Sequence, residues 1–175
     1  DNYLYLYCLW VSGSHKGKGY GRMLMEYCLQ DARERGKSGV CMLGADKQKA
    51  WLSDQAFAQK FGFETVDATE YGYQLLACSL DGTVPRFSPA AKRGEIDGQE
   101  LTVYYDFQCP YICQSVELVR QYCGERQIPV SLRLVDTQQK AKELPCVFNN
   151  WAVFYQGKLQ TVNLLDAAAL KRMFQ

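Results

Sequence analysis

Neither sign of charge is in excess: 20 Lys and Arg face 19 Asp and Glu, for a formal net charge of +1. That balance gives no electrostatic footprint for nucleic acid, and no basic run points to a membrane surface. Histidine is nearly absent. The single one, His15, lies far along the chain from the only close cysteine pair, so a metal site is not expected. Standing beside lysines with no orienting partner, it reads as a solvated loop residue rather than a base. No apolar stretch approaches the length needed to cross a bilayer. The first residues have neither a basic start nor a small-residue cleavage site, so they do not read as a signal peptide. No internal repeat or low-complexity tract interrupts the pattern.

What is present fits a globular protein: 175 residues, 47% hydrophobic and 22% charged, enough for one large domain or two small ones. Six of the eight cysteines are scattered singly in apolar segments (Cys8, Cys28, Cys41, Cys78, Cys123 and Cys146) and read as core. Disulfide scaffolds are shorter and denser in cysteine, so a reduced, cytoplasmic setting is expected. The stretch from Asp81 to Gln99, "DGTVPRFSPAAKRGEIDGQ", holds two prolines and three glycines and breaks every periodicity. It divides the chain into residues 1–80, a connection at 81–99, and residues 100–175.

The first part reads strand, helix, strand, helix, strand, strand. Tyr3 to Ser12 is apolar on both faces and suits a covered strand. From about Arg22 to Arg35, Leu24, Met25, Cys28, Leu29 and Ala32 form one helical stripe stopped by Gly36. "SGVCMLGA" is a second buried strand, which the helical crossover makes parallel to the first. Ser53 or Asp54 can cap a short helix carrying Phe57 and Phe61, and Phe63–Val66 and Tyr73–Leu80 read as a strand pair. The second part alternates again. Its strand "ELTVYYDF" precedes a helix over 110–127, then come a strand, a short helix, a hairpin turning at Gln156-Gly157, and a helix capped by Asp166.

Two segments carry chemistry. In "SHKGKGYGRMLMEYCL" a strand ends, Gly17, Gly19 and Gly21 bare the backbone, and a helix begins. Its positive end and free N–H groups suit an anion. The spacing satisfies neither the phosphate-loop nor the dinucleotide pattern, and a flexible turn without a ligand gives the same composition. In "YYDFQCPYICQSVELV", Cys109 and Cys113 stand three residues apart at a strand-to-helix junction. A helix N-terminus lowers a thiol pKa from ~8.5 toward neutral, which would make Cys109 an exposed nucleophile and Cys113, about one turn on, its resolving partner. The alternative is that Cys113 is a small buried hydrophobe and Cys109 an inherited feature of the fold.

The stretch "LWVSGSHKGKGYGRMLMEYCL" resembles the acetyl-CoA motif of the GNAT acetyltransferase superfamily, Gln/Arg-x-x-Gly-x-Gly/Ala. Lys16 stands at its first position, Gly19 and Gly21 match, and Val11 fits five residues earlier. "FAQKFGF" is similar to the superfamily's second mark, an aromatic-rich helix ending in Gly-Phe. The resemblance implies acetyl transfer from acetyl-CoA to a small-molecule or peptide amine. The pyrophosphate would rest on Gly17, Lys18, Gly19, Tyr20 and Gly21, with Lys16 and Lys18 at the rim. The splayed strand end at Leu9 and Val11 would pair with pantetheine, and an N–H near Leu9 would polarise the thioester. The superfamily's usual tyrosine acid is Ala58 here and a cofactor-touching asparagine is Trp51, so no catalytic residue is assigned for the transfer. The superfamily fold begins with elements that precede Asp1 in this chain, so the chain is expected to be incomplete for catalysis. Residues 101–175 resemble a thioredoxin-like domain, whose customary cis-proline has Pro145 as its only candidate. "YQLLA", "YYDFQCPY" and "VFYQGKL" resemble the YoaP-like group of bacterial GNAT proteins. The expected fold is thus α/β: a partial GNAT acyl-CoA N-acyltransferase fold followed by a thioredoxin-like α/β domain. Two other functions fit the same residues: a thiol-disulfide oxidoreductase centred on Cys109, and a non-catalytic acyl-CoA-binding protein.

Overall fold

The computed structural model describes residues 2–49 and 51–175. They form two compact units that divide at Phe87 and Ser88.

In the first unit, β1 (Tyr3–Tyr5) is followed by α1 (Tyr20–Glu34), β2 (Gly39–Ala45), α2 (Gln55–Gln59), β3 (Glu64–Ala68) and β4 (Tyr73–Ser79). The sheet order is β1-β2-β4-β3. β1 and β2 run parallel, as the helical crossover requires, and the other pairs are antiparallel. β2 is buried at every residue and pairs with β4 over its whole length. Gly39 fits there because a Cβ would collide with the Cys78 carbonyl oxygen and the Tyr3 ring. α1 lays Met25, Leu29 and Ala32 on Val40, Met42 and Leu76, with Phe63 and Ala58 completing the core. Each fully buried large side chain there contributes about 1.5–3 kcal/mol.

Three expectations need correction in this unit. The first strand does not run to Ser12. After Leu6 N–H donates to Cys41 O at 2.8 Å the chain leaves the sheet, and Trp10 is 65% exposed. Leu24 is not on the buried stripe. It lies outward with Tyr20, Met23 and Tyr27, because Met25 and Leu29 take the sheet side. Cys8 is exposed rather than core.

The second unit contains β5 (Leu101–Tyr105), α3 (Ile112–Glu125), β6 (Val130–Leu134), α4 (Gln138–Glu143), β7 (Trp151–Tyr155), β8 (Lys158–Thr161) and α5 (Ala167–Met173). The order is β6-β5-β7-β8, with β5 parallel to β6 and the remaining pairs antiparallel. Leu101 and Val103 of β5, Val116 and Val119 of α3, Trp151 and Val153 of β7 and Leu170 of α5 form its core. Asp166 caps α5 by accepting from Ala169 N–H at 2.7 Å.

Residues 81–99 are shared between the units. Arg86 donates to Val66 O at 2.7 Å and Phe87 N–H to Asp67 Oδ2 at 2.9 Å, which straps this segment to β3 in the first unit. Within the second unit, Gly94 N–H donates to Pro145 O and Ile96 N–H to Gly157 O, both at 2.8 Å. Among the described residues no helix is long and apolar enough to cross a membrane.

Candidate functional site

The segment Leu6–Ser12 diverges from β2, and a single 3-10 turn at Gly13–His15 brings the chain back toward α1. Gly17 and Gly19 then take positive φ, +75° and +81°, with open space where a Cβ would stand. Gly19 is the N-cap of α1 and no side chain caps the helix. The first turn holds no acidic residue, so its N–H groups and the positive helix end face outward without a competing carboxylate. Gly21 sits one step inside, within ordinary contact distance of Phe57 and Val11. The first two glycines make the turn, whereas at Gly21 the backbone is helical and a Cβ would meet only ordinary contacts.

The divergence opens a cleft of about 550 Å³ in the first unit. Leu9, Val11, Lys16, Gly17, Gly19, Tyr20 and Gly21 all line it, whereas Lys18 is not part of its lining. One end is the mouth of α1 with Lys16. The other wall is apolar, made by Leu6, Met25, Met42, Phe57 and Ala58. Lys16 lies 5.3 Å over the Trp10 ring, and His15 packs 5.9 Å from Tyr20, so the rim is held by aromatic contacts. Ala58, fully buried, makes part of the wall.

Two residues that the sequence does not single out as site groups also line the cleft. Arg22 stands in the first turn of α1, 5.6 Å over the Phe61 ring. Its only signal was its place one residue after the glycine run. Ser53 Oγ accepts from Leu9 N–H at 3.2 Å. The Leu9 N–H is therefore engaged by a side chain distant in sequence, a pairing that no local motif encodes. Ser53 is itself held at the start of α2, where Asp54 accepts from Phe57 N–H at 3.2 Å and Gln48 donates to Ser53 O at 3.4 Å.

The second unit has a recess of about 710 Å³ bounded by Arg93, Arg133, Glu95, Asp97 and Glu143. It is larger, but its charges alternate in sign and Arg133 is already bonded to Tyr104 Oη at 3.0 Å. The first cleft is the better ligand site, because a largely apolar wall leads to a helix mouth flanked by Lys16 and Arg22, with Asp54 the one acidic residue in its lining.

The cysteine pair departs from expectation. Cys109 precedes α3 by three residues, its carbonyl accepting from Ile112 N–H at 3.1 Å, and it is half-buried against the core. Cys113, within the first turn of α3, is exposed. The more accessible thiol is thus the second one, because the loop after β5 folds Cys109 inward. The surface around them is aromatic, with Phe107 and Tyr111 both more than half exposed. Pro145 is joined by a trans peptide, and Asn150 takes φ +75° and gives its carbonyl to Asp106 N–H at 3.1 Å. Burial raises the thiols of Cys28, Cys78, Cys123 and Cys146, and pushes Cys41 to about 12.

The first unit thus sets a strand that leaves its sheet beside a glycine-rich helix mouth, in a mixed α/β fold. Residues 1–63 match the acetyltransferase (GNAT) family and residues 129–172 match the YoaP-like family. Over 174 residues the chain is 26% identical to a Bacillus subtilis (strain 168) protein, "Uncharacterized N-acetyltransferase YoaP", covering 98% of this chain and 69% of that one. No solved structure is significantly similar. The first part of the chain is thus similar to GNAT acetyltransferases and its last part to the YoaP-like family.

Proposed function

We propose that the protein is an N-acetyltransferase whose first unit binds acetyl-CoA in the cleft and passes the acetyl group to an amine. The observation that carries this is the cleft itself: an uncapped helix mouth with two positive-φ glycines at one end, an apolar wall at the other. The pyrophosphate would take N–H groups at Gly19, Tyr20 and Gly21, with Lys16 and Arg22 supplying positive charge. Pantetheine would run along Leu9 and Val11, and the acetyl end would lie against Leu6, Met25 and Met42. In the transfer a nitrogen–carbon bond forms and the carbon–sulfur bond breaks. The amine gives up a proton and the coenzyme thiolate takes one up. Ala58 offers no proton, so the departing thiolate is protonated by another group or by solvent.

The test is isothermal titration of the full chain with acetyl-CoA, followed by release of free thiol with a panel of primary amines. Saturable binding that weakens as salt rises is expected, since phosphate contacts are screened. Absence of binding at low salt would overturn the assignment.

For the second unit we propose a thioredoxin-like fold with a binding or positioning role. The support is its order of elements, a parallel β5-α3-β6 unit followed by a hairpin and a helix. The inward Cys109 and outward Cys113 favour this over disulfide exchange centred on Cys109.

A further inference from the structure

The groups that could meet a carbonyl in this cleft are few. Leu9 N–H, on the diverging segment, already donates to Ser53 Oγ. A hydroxyl that accepts an N–H has its own hydrogen directed elsewhere. Among the described residues no acceptor takes that hydrogen, and Ser53 lines the cleft beside Leu9 and Ala58. Most of the cleft wall is apolar, and Asp54, the one acidic side chain in its lining, already accepts from Phe57 N–H, so few polar groups compete for a hydrogen bond made there. The position is also fixed. Ser53 immediately precedes the N-cap Asp54, and the Gln48 side chain bonds to both Ser53 O and Gln55 N–H.

We infer that Ser53, oriented by the Leu9 N–H, donates its hydroxyl hydrogen to the carbonyl oxygen of the acyl thioester bound in the cleft. The inference rests on the reading that the cleft holds acetyl-CoA. It replaces the backbone donor expected at Leu9 with a side chain that the same backbone group positions. When an amine attacks the carbonyl carbon, negative charge gathers on that oxygen, and the bond to Ser53 strengthens without the hydroxyl losing its proton. Ser53 is thus a polarising group, with no covalent part in the transfer.

Coenzyme A lacks the carbonyl, so it separates the two claims without a known acceptor. The wild-type chain should bind acetyl-CoA more tightly than coenzyme A by about 2- to 10-fold, the usual worth of one hydrogen bond. In Ser53→Ala that preference should fall to about one while coenzyme A affinity stays unchanged, which also shows that the variant folds. Ser53→Thr, which keeps a hydroxyl, should restore the preference. Infrared difference spectra of carbonyl-labelled acetyl-CoA should show a lower carbonyl frequency on the wild type than on Ser53→Ala. If the wild type binds both molecules and neither the preference nor the frequency changes in Ser53→Ala, the role of Ser53 is refuted and the binding site stands. If the wild type binds neither, both readings fall.

Discussion

The helix mouth can be tested by a pair of substitutions at Gly19 that differ only in charge. Gly19 has φ +81° and nothing within 4 Å of where a Cβ would stand, so a side chain meets backbone strain but no clash. Asn and Asp tolerate that conformation best, and they cap helices about equally well. Gly19→Asn and Gly19→Asp should therefore carry the same cost of strain, about 1 kcal/mol, and the same competition from a capping side chain. They differ by one negative charge. A carboxylate about 5 Å from a phosphate costs about 1–3 kcal/mol for effective dielectric constants between about 80 and 20. Gly19 is exposed, so the lower end applies, and Gly19→Asp should bind acetyl-CoA about 5- to 10-fold more weakly than Gly19→Asn. Isothermal titration at low and at physiological salt reads the difference, which should narrow as salt rises. Thermal unfolding of the two variants should coincide. Equal affinity of the pair at low salt would mean that no anion sits at this mouth, and the reasoning from the uncapped helix would fail.

Two further outcomes follow from buried groups. Limiting iodoacetamide near neutral pH should label Cys8 and Cys113, both exposed, then Cys109, and leave Cys41 and Cys146 to the last, since burial holds the Cys41 thiol at about 12. Mass-spectrometric mapping in which Cys41 keeps pace with Cys113 would show that the first core opens readily. Burial raises the Asp106 carboxyl, against the opposing pull of the Gln108 N–H at 2.9 Å. The folded state thus holds that proton more tightly than the unfolded one, and stability is lost as pH climbs from the ordinary carboxylate range through the raised value. Asp106→Asn keeps an acceptor for Gln108 and removes the charge. It should melt higher than the wild type at pH 7, with the gap closing near pH ~3, below the ordinary aspartate range. A gap of equal size at both pH values would point to packing instead.

The order of elements was readable because it is local: glycine stops, caps such as Asp54 and Asp166, and apolar runs such as Gly39–Ala45 act within a few residues. The glycine run likewise marked the helix mouth, since positive φ leaves a compositional trace. What escaped depends on partners distant in sequence. The length of β1 is set by where the diverging chain finds Ser53 instead of β2, 44 residues away in sequence. Leu24 and Met25 are adjacent and equally apolar, and only the sheet decides which is buried. The proline- and glycine-rich stretch 81–99 has the composition of a connection, yet Arg86 and Gly94 use their donors on neighbouring carbonyls. The depth of Cys109 is set by the loop that carries it, which the Cys-x-x-x-Cys spacing does not describe.

The complete pairing of β2 with β4 bears on timescales of motion in the first unit. Amides in Gly39–Ala45 should be among the last there to exchange with deuterated solvent, because freeing them requires breaking the sheet at its centre. The 3-10 turn and the glycines that follow have only a few local hydrogen bonds and should exchange early. A ligand arriving at the mouth of α1 can therefore quench motion in a short segment while the sheet behind it is already still. Its entropic penalty would be confined to some ten residues, on the order of the segment from Gly13 to Gly21.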